Sequence, residues 1–288
     1  MKIEKAVKHN AKVKVFPDGK LHITCFTRDI FTEEGWEYIY EDDEKAQKES
    51  ALQNSQNDKN EYDTSAPRAD SMKRAKAKIF DIALSNEWDY MITLTLDKQK
   101  IDRYDPKEII GPFKNWLNNM VKRHGFKYLI VPELHDDGAI HFHGLINGSL
   151  DLTDSGTVKV PGHKEPIKIS TAKRYGYDIS SDEVRTVYNI GSYKLGYSTA
   201  VRIDKNVEAV SKYMTKYTCK NFQKIFGKSF FAGGGVNRNL PTYYLDIPYS
   251  RVECEEYRLP ENLGAVKYLL LDEHVFKLLQ NEWSLYNG

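Results

Sequence analysis

The stretch from Tyr128 to Ile146 restricts this chain more than any other. Two apolar runs, Tyr128 to His135 and Ile140 to Ile146, flank Asp136-Asp137-Gly138, so the segment reads as two strands joined by a tight turn. Side chains alternate along a strand, and His141 and His143 therefore share one face while Phe142 takes the other. The turn decides what meets them. A three-residue loop, with Gly138 in the left-handed position that such loops require, sets Glu133 opposite His141 and His135 opposite Ala139. A two-residue loop would put Leu134 there and turn Glu133 away, because a slip of one residue exchanges the faces. The favoured register gathers Glu133, His141 and His143 on one face. Two imidazoles and a carboxylate suit Mn²⁺, Fe²⁺, Ni²⁺ or Zn²⁺, and Mg²⁺ by its abundance.

Around this hairpin the pattern alternates between strand and helix. Ala11 to Phe16 and Leu21 to Phe26 bracket Pro17-Asp18-Gly19 as a further hairpin. Ser71 to Ser85 reads as a helix and Met91 to Leu96 as a strand. Asp105-Pro106 opens an amphipathic helix that Gly125 stops. Leu150 to Val187 is expected as an irregular insertion, Tyr197 to Ile203 as a strand and Asn206 to Phe226 as a helix. Ala265 to Trp283 is expected to hold a C-terminal helix. The order predicts an α+β fold, a sheet with its helices on one face. The expected division is an N-terminal hairpin with an acidic linker over 1–66, a catalytic domain over 67–250 and a helical extension over 251–288.

Composition narrows the function. A chain of 288 residues buries roughly three quarters of its surface, enough for one large domain or two small ones. The stretch from Met1 to Phe16 carries lysines throughout and no apolar core, and Cys25, Cys219 and Cys254 form no CxxC. A cytoplasmic protein is the expectation. The net charge of +1 conceals an asymmetry: Asp29 to Asp63 holds 12 acidic and 3 basic residues, while Arg202 to Lys228 holds 7 basic and 2 acidic. Such a distribution suits a basic region facing nucleic acid and an acidic segment that shields it. No GxxxxGK[ST] sequence occurs, so no ATPase or helicase is fused to the rest.

A tandem pair of Y-x-x-K sequences runs from Tyr213 to Lys220. On a helix, Tyr213, Lys216, Tyr217 and Lys220 share a stripe about 100° wide. This double pattern arises by chance in only about 1% of chains of such length and composition. A phenol titrates near 10, so only about 0.1% is phenolate at pH 7. Ammonium groups one turn away favour the anion and can also hold a phosphate. Nucleophilic tyrosines and a His-rich metal site are together the parts needed for strand transfer through a covalent phosphotyrosine. The covalent link conserves the phosphodiester energy, and rejoining then needs no ATP.

Ile92-Thr93-Leu94-Thr95-Leu96, His141-Phe142-His143-Gly144-Leu145 and Tyr213-x-x-Lys216-Tyr217 resemble, in order, the three motifs of HUH endonucleases. More narrowly they resemble the rolling-circle replication initiators of phages, plasmids and related bacterial mobile elements, over roughly Arg68 to Asn221. The resemblance implies a ferredoxin-like (RRM-like) central antiparallel sheet with flanking helices. It also implies a Mg²⁺- or Mn²⁺-dependent endonuclease and strand transferase that nicks single-stranded origin DNA or an origin hairpin. The product would be a 5′-phosphotyrosine and a free 3′-OH, with a host helicase supplied in trans. By position His141, His143 and Glu133 would be metal ligands, Tyr213 and Tyr217 nucleophiles, and Lys216 and Lys220 their helpers. Thr93, Thr95, Lys73, Arg74, Lys76, Lys212, Lys224 and Lys228 are candidate DNA contacts. Three other readings compete. One is a relaxase, which places its tyrosine before the histidines. Another is a shorter, single-tyrosine transposase. The last is a non-catalytic RRM-like module that stacks single-stranded nucleic acid on Tyr128, Phe142 and Tyr197.

Overall fold

The computed structural model describes residues 6–33, 69–163, 165–203, 224–254, 256–258 and 265–284. The expected linker Glu41 to Ser65 and the expected helix from Asn206 as far as Gln223 lie outside these residues. The fold is α+β, and every strand pairing is antiparallel. The chain forms two compact units, residues 1–61 with 240–288 and residues 62–239. No helix among the described residues is long and apolar enough to cross a membrane.

In chain order the elements are strands β1 (Ala6–Val15) and β2 (Lys20–Glu33), helix α1 (Ala69–Leu84), β3 (Tyr90–Leu96), helix α2 (Pro106–His124), β4 (Lys127–Leu134) and β5 (Ile140–Asn147). Then come β6 (Leu152–Lys159), β7 (Ile167–Lys168), helix α3 (Ile169–Arg174), β8 (Arg185–Ile190), β9 (Gly196–Arg202) and β10 (Phe231–Gly233). The last are β11 (Thr242–Leu245), β12 (Glu256–Arg258), β13 (Ala265–Asp272) and helix α4 (Glu273–Ser284).

The smaller unit is a sheet of order β11-β1-β2-β13-β12. Its N-terminal hairpin turns where expected, with the Gly19 N–H donating to the Phe16 carbonyl and Gly19 at φ 82°. The β1–β2 register shifts between His9 and Ala11. Asn10, at that irregularity, donates to the Ile247 carbonyl (2.6 Å) and accepts from the Ile247 N–H (2.7 Å). The expected C-terminal helix is corrected in its first half. Ala265–Asp272 is a strand, with Leu269 opposite Ile23 and Leu271 opposite Leu21. Short apolar runs satisfy helix and strand patterns alike, and here the open side of β2 decides. The two units also differ from the division at 66 and 250, because β11 and β13 flank the N-terminal hairpin.

The larger unit is an eight-stranded sheet of order β10-β4-β5-β3-β9-β8-β6-β7. Among β3, β4, β5 and β9 the spatial order is second, third, first, fourth, with α2 crossing from β3 to β4. The helices do not share a face, which corrects that expectation. Ile109, Phe113, Leu117 and Met120 of α2 bury against Ile92, Leu94, Ile130, Phe142 and Ile146. Ile79, Ile82 and Ala83 of α1 bury with Leu129, Val131 and Leu145, the alternate positions of the same strands. β4 and β5 are apolar at both parities, so each face requires cover. The boundaries of α2 are set locally: Asp105 caps the Lys107 N–H (2.8 Å), and Gly125 ends the helix at φ 61°.

The 150–187 insertion is also corrected. It forms β6, β7, α3 and most of β8, with a small core of Val158, Val160 and Ala172, and it extends the sheet beyond β9.

Candidate metal centre

The β4–β5 turn fixes the site. The His135 N–H donates to the Ala139 carbonyl and the Gly138 N–H to the His135 carbonyl, each at 2.8 Å, with Gly138 at φ 85°. The Asp137 carboxylate accepts from the Ala139 N–H at 3.0 Å. The three-residue loop sets Glu133 opposite His141 and Val131 opposite His143, as the turn chemistry predicts. On the other face Phe142 is fully buried, its ring stacked 4.0 Å from that of Phe113. That anchor holds His141 and His143 toward the opposite side.

Glu133 Oε2 lies 3.5 Å from His141 Nε2 and 3.1 Å from His143 Nε2. The three side chains are 10–14% exposed, and their donor atoms lie within 4.8 Å of one another. Ligands bonded to one small divalent ion at about 2.1 Å sit roughly 3 Å apart when adjacent. Slight side-chain closure therefore lets the cluster hold a metal ion on one side, leaving its remaining positions open. Burial pushes the Glu133 carboxyl up, but hydrogen bonds from both imidazoles outweigh it and hold the group well below the usual carboxylate range. The carboxylate is thus ionised, as a ligand must be.

Thr93 supports the cluster from β3. Its Oγ1 lies 3.1 Å from His143 Nδ1, across the Thr93–His143 pairing. A histidine that offers Nε2 to a metal carries its proton on Nδ1, and the Thr93 hydroxyl is placed to accept it. Thr95 pairs with His141 on one side and Tyr197 on the other. Glu133, His141, Thr95 and Tyr197 consequently form one row across four strands on a single face. Tyr197 ends that row and is 71% exposed.

The cluster lies in a cleft of about 660 Å³. Sequence reasoning missed three of the groups lining it: Arg103, Lys159 and Glu165. Lys159 and Glu165 come from the insertion, and no local signal identifies them, since only the strand order brings them near β5. Arg103 braces the hairpin tip, donating to Asp137 at 2.7 Å, while its carbonyl accepts from the Ile140 N–H at 2.8 Å. His135 stands outside the cluster, 64% exposed and 3.4 Å from Asp137.

The other expected residues are less centrally placed. Arg74 is exposed and Lys76 half-buried on α1, and Lys224 and Lys228 are exposed before β10. The side chain of Lys73 is not among those described. Lys212, Tyr213, Lys216, Tyr217 and Lys220 lie outside the described residues. Of the three proposed stacking platforms, Phe142 is in the core and Tyr128 packs partly against it, so only Tyr197 is open to a base.

Neither a curated protein nor a solved structure matches the chain. A family model does: residues 89–222, a little under half of the chain, are similar to the family described as Replication-associated protein ORF2, from the start of the β3 strand region through the tandem tyrosine sequence.

Proposed function

We propose that this protein is a rolling-circle replication initiator of the HUH type, which nicks single-stranded origin DNA and later rejoins it. The observation that carries the reading is the convergence of Glu133, His141 and His143 on one face through the Gly138 turn. The similarity over residues 89–222 adds a replication-associated family and includes both Y-x-x-K sequences. The central strand order, second-third-first-fourth with a helical crossover, favours a ferredoxin-like core.

A divalent ion held there, Mg²⁺ or Mn²⁺, would withdraw charge from the scissile phosphate. Glu133, His141 and His143 hold and orient it, and Thr93 sets the ring of His143. The Tyr213 phenol supplies the nucleophile, its proton acidified by the neighbouring ammonium of Lys216. A bond forms between the Tyr213 oxygen and phosphorus while the P–O3′ bond breaks, and the departing 3′-oxygen takes up a proton. The 5′-phosphate remains on the tyrosine. Attack by a 3′-OH reverses these steps and seals the strand. Tyr217 and Lys220 repeat the arrangement one turn on, about 5–6 Å away between Cβ atoms. A second nucleophile lets one chain make the terminating cut. Tyr197 lies two strands from His141, about 10 Å, and suits a base near the scissile phosphate. Helicase activity is supplied by another protein.

The test is a denaturing gel after incubating the protein with Mn²⁺ and single-stranded origin candidates. A covalent adduct is expected, lost in His141→Ala, and mapping to Tyr213 by mass spectrometry. An adduct undiminished when Tyr213 and Tyr217 are both phenylalanine would end the reading.

A further inference from the structure

A second concave site lies in the larger unit, beside β10, and shares no lining residue with the metal cleft. Its volume is about 460 Å³. Lys114 of α2, Lys228 before β10 and Arg238 after it border the cavity, and Leu117, Tyr128 and Phe230 form an apolar, aromatic wall. The three cations are close enough to act on one another and on that wall. The Lys228 ammonium is held below its ordinary value, first by burial and then by Lys114 and Arg238. The Tyr128 phenol is pushed up by burial and opposed by Arg238. Arg238 is steadied by a hydrogen bond to the Ala232 carbonyl. Among the described residues none of the three forms an ion pair with a carboxylate.

Three cations gathered around a cavity without a counter-charge repel one another, and this raises the free energy of the empty site. An anion entering it relieves that repulsion and gains charge-assisted hydrogen bonds. An Arg fork beside two ammonium groups matches a phosphate, whose oxygens accept from all of them. The neighbouring aromatic wall fits a planar base, and the volume lies within the range of sites for small organic ligands.

We propose that this cavity is a second nucleotide-binding site, in which Lys114, Lys228 and Arg238 hold a phosphate and Tyr128 and Phe230 receive its base. The nucleotide is either part of a DNA strand or free in solution. Its assignment to a strand rests on the nicking function proposed above, whereas the phosphate site itself does not.

The experiment uses the full chain and two variants, the double Lys114→Gln/Lys228→Gln and the triple that adds Arg238→Gln. The double variant leaves the Arg238 bond to Ala232 in place should the triple misfold. Mn²⁺ binding by calorimetry controls for an intact metal cluster and is expected to be unchanged. Binding of a single-stranded oligonucleotide is followed by fluorescence anisotropy from low to high salt, and binding of a deoxynucleoside monophosphate by calorimetry. A strand in the cavity predicts at least tenfold weaker oligonucleotide binding in the variants, with a salt slope flatter by about 0.7 for each phosphate no longer engaged. A free nucleotide predicts that monophosphate binding disappears while the oligonucleotide slope is unchanged. Either result supports the site. Oligonucleotide and monophosphate binding both unaltered in the double and triple variants would overturn it. If the wild type binds the monophosphate here but forms no covalent adduct with DNA, the nicking function fails and this site stands.

Discussion

Replacing Thr93 by valine isolates one atom of the metal site. Valine keeps the β-branched shape and its preference for a strand, so β3 is retained between β5 and β9. What disappears is the Oγ1 that sits 3.1 Å from His143 Nδ1. His143 is 8% exposed, so water replaces that partner poorly. A neutral hydrogen bond contributes about 0.5–1.5 kcal/mol net, and a buried group left without its partner costs about 1–3 kcal/mol. Groups that orient a metal-bound imidazole typically change metal affinity by about 10–100-fold, or roughly 1.4–2.7 kcal/mol, which agrees with that range. The expected result is therefore Mn²⁺ binding weakened by about 10–100-fold in Thr93→Val, read by calorimetry or by the electron paramagnetic resonance of free Mn²⁺. Thr93→Ser keeps the hydroxyl and should restore most of the affinity. Unchanged Mn²⁺ affinity in Thr93→Val, alongside its loss in His143→Ala, would refute the idea that Thr93 orients the ligand.

His141→Ala and His143→Ala should abolish strand cleavage while oligonucleotide affinity stays within a fewfold, because phosphate contacts dominate binding; a gel and an anisotropy titration read the two separately. Glu133 sets a pH dependence of stability: its carboxyl is depressed in the folded state, so its contribution is fully present above the ordinary value of 4.5 and is lost as pH falls through the depressed one. Glu133→Gln should flatten that acid limb in denaturant titrations between pH 7 and 3, and an unaltered limb would argue against it. Phe142→Ala should destabilise the larger unit by about 3–5 kcal/mol in chemical denaturation, since it empties a fully buried ring position stacked on Phe113. Tyr197→Ala should weaken oligonucleotide binding by about 1–3 kcal/mol and remove the penalty of one abasic substitution, while Tyr197→Phe should not.

Much of the candidate site is legible in the sequence because its determinants are local. Gly138 demands a left-handed position, that position selects a three-residue loop, and the loop sets which residues of β4 face His141. The alternation of His141, Phe142 and His143 needs only the pleat of a strand. The ends of α2 are equally legible, since Asp105 and Gly125 act within a few residues of the groups they satisfy. The tandem tyrosines are conspicuous from their spacing alone.

Other features depend on which distant segments pair, and no short window of sequence contains that information. Ala265–Asp272 becomes a strand because β2 offers it an edge. The two helices take opposite faces because β4 and β5 are apolar on both. The insertion forms strands that carry Lys159 and Glu165 into the metal cleft, and Thr93 finds His143 only through the β3–β5 register. Lys114, Lys228 and Arg238 lie more than 100 residues apart at their extremes and meet at the edge of β10. Turn chemistry and side-chain periodicity act between near neighbours, so the metal-site hairpin and the helix ends can be read from the chain. Pairing register and the gathering of charge are settled across long loops, whose closure entropy is repaid only by the assembled sheet, so they emerge only in the folded molecule.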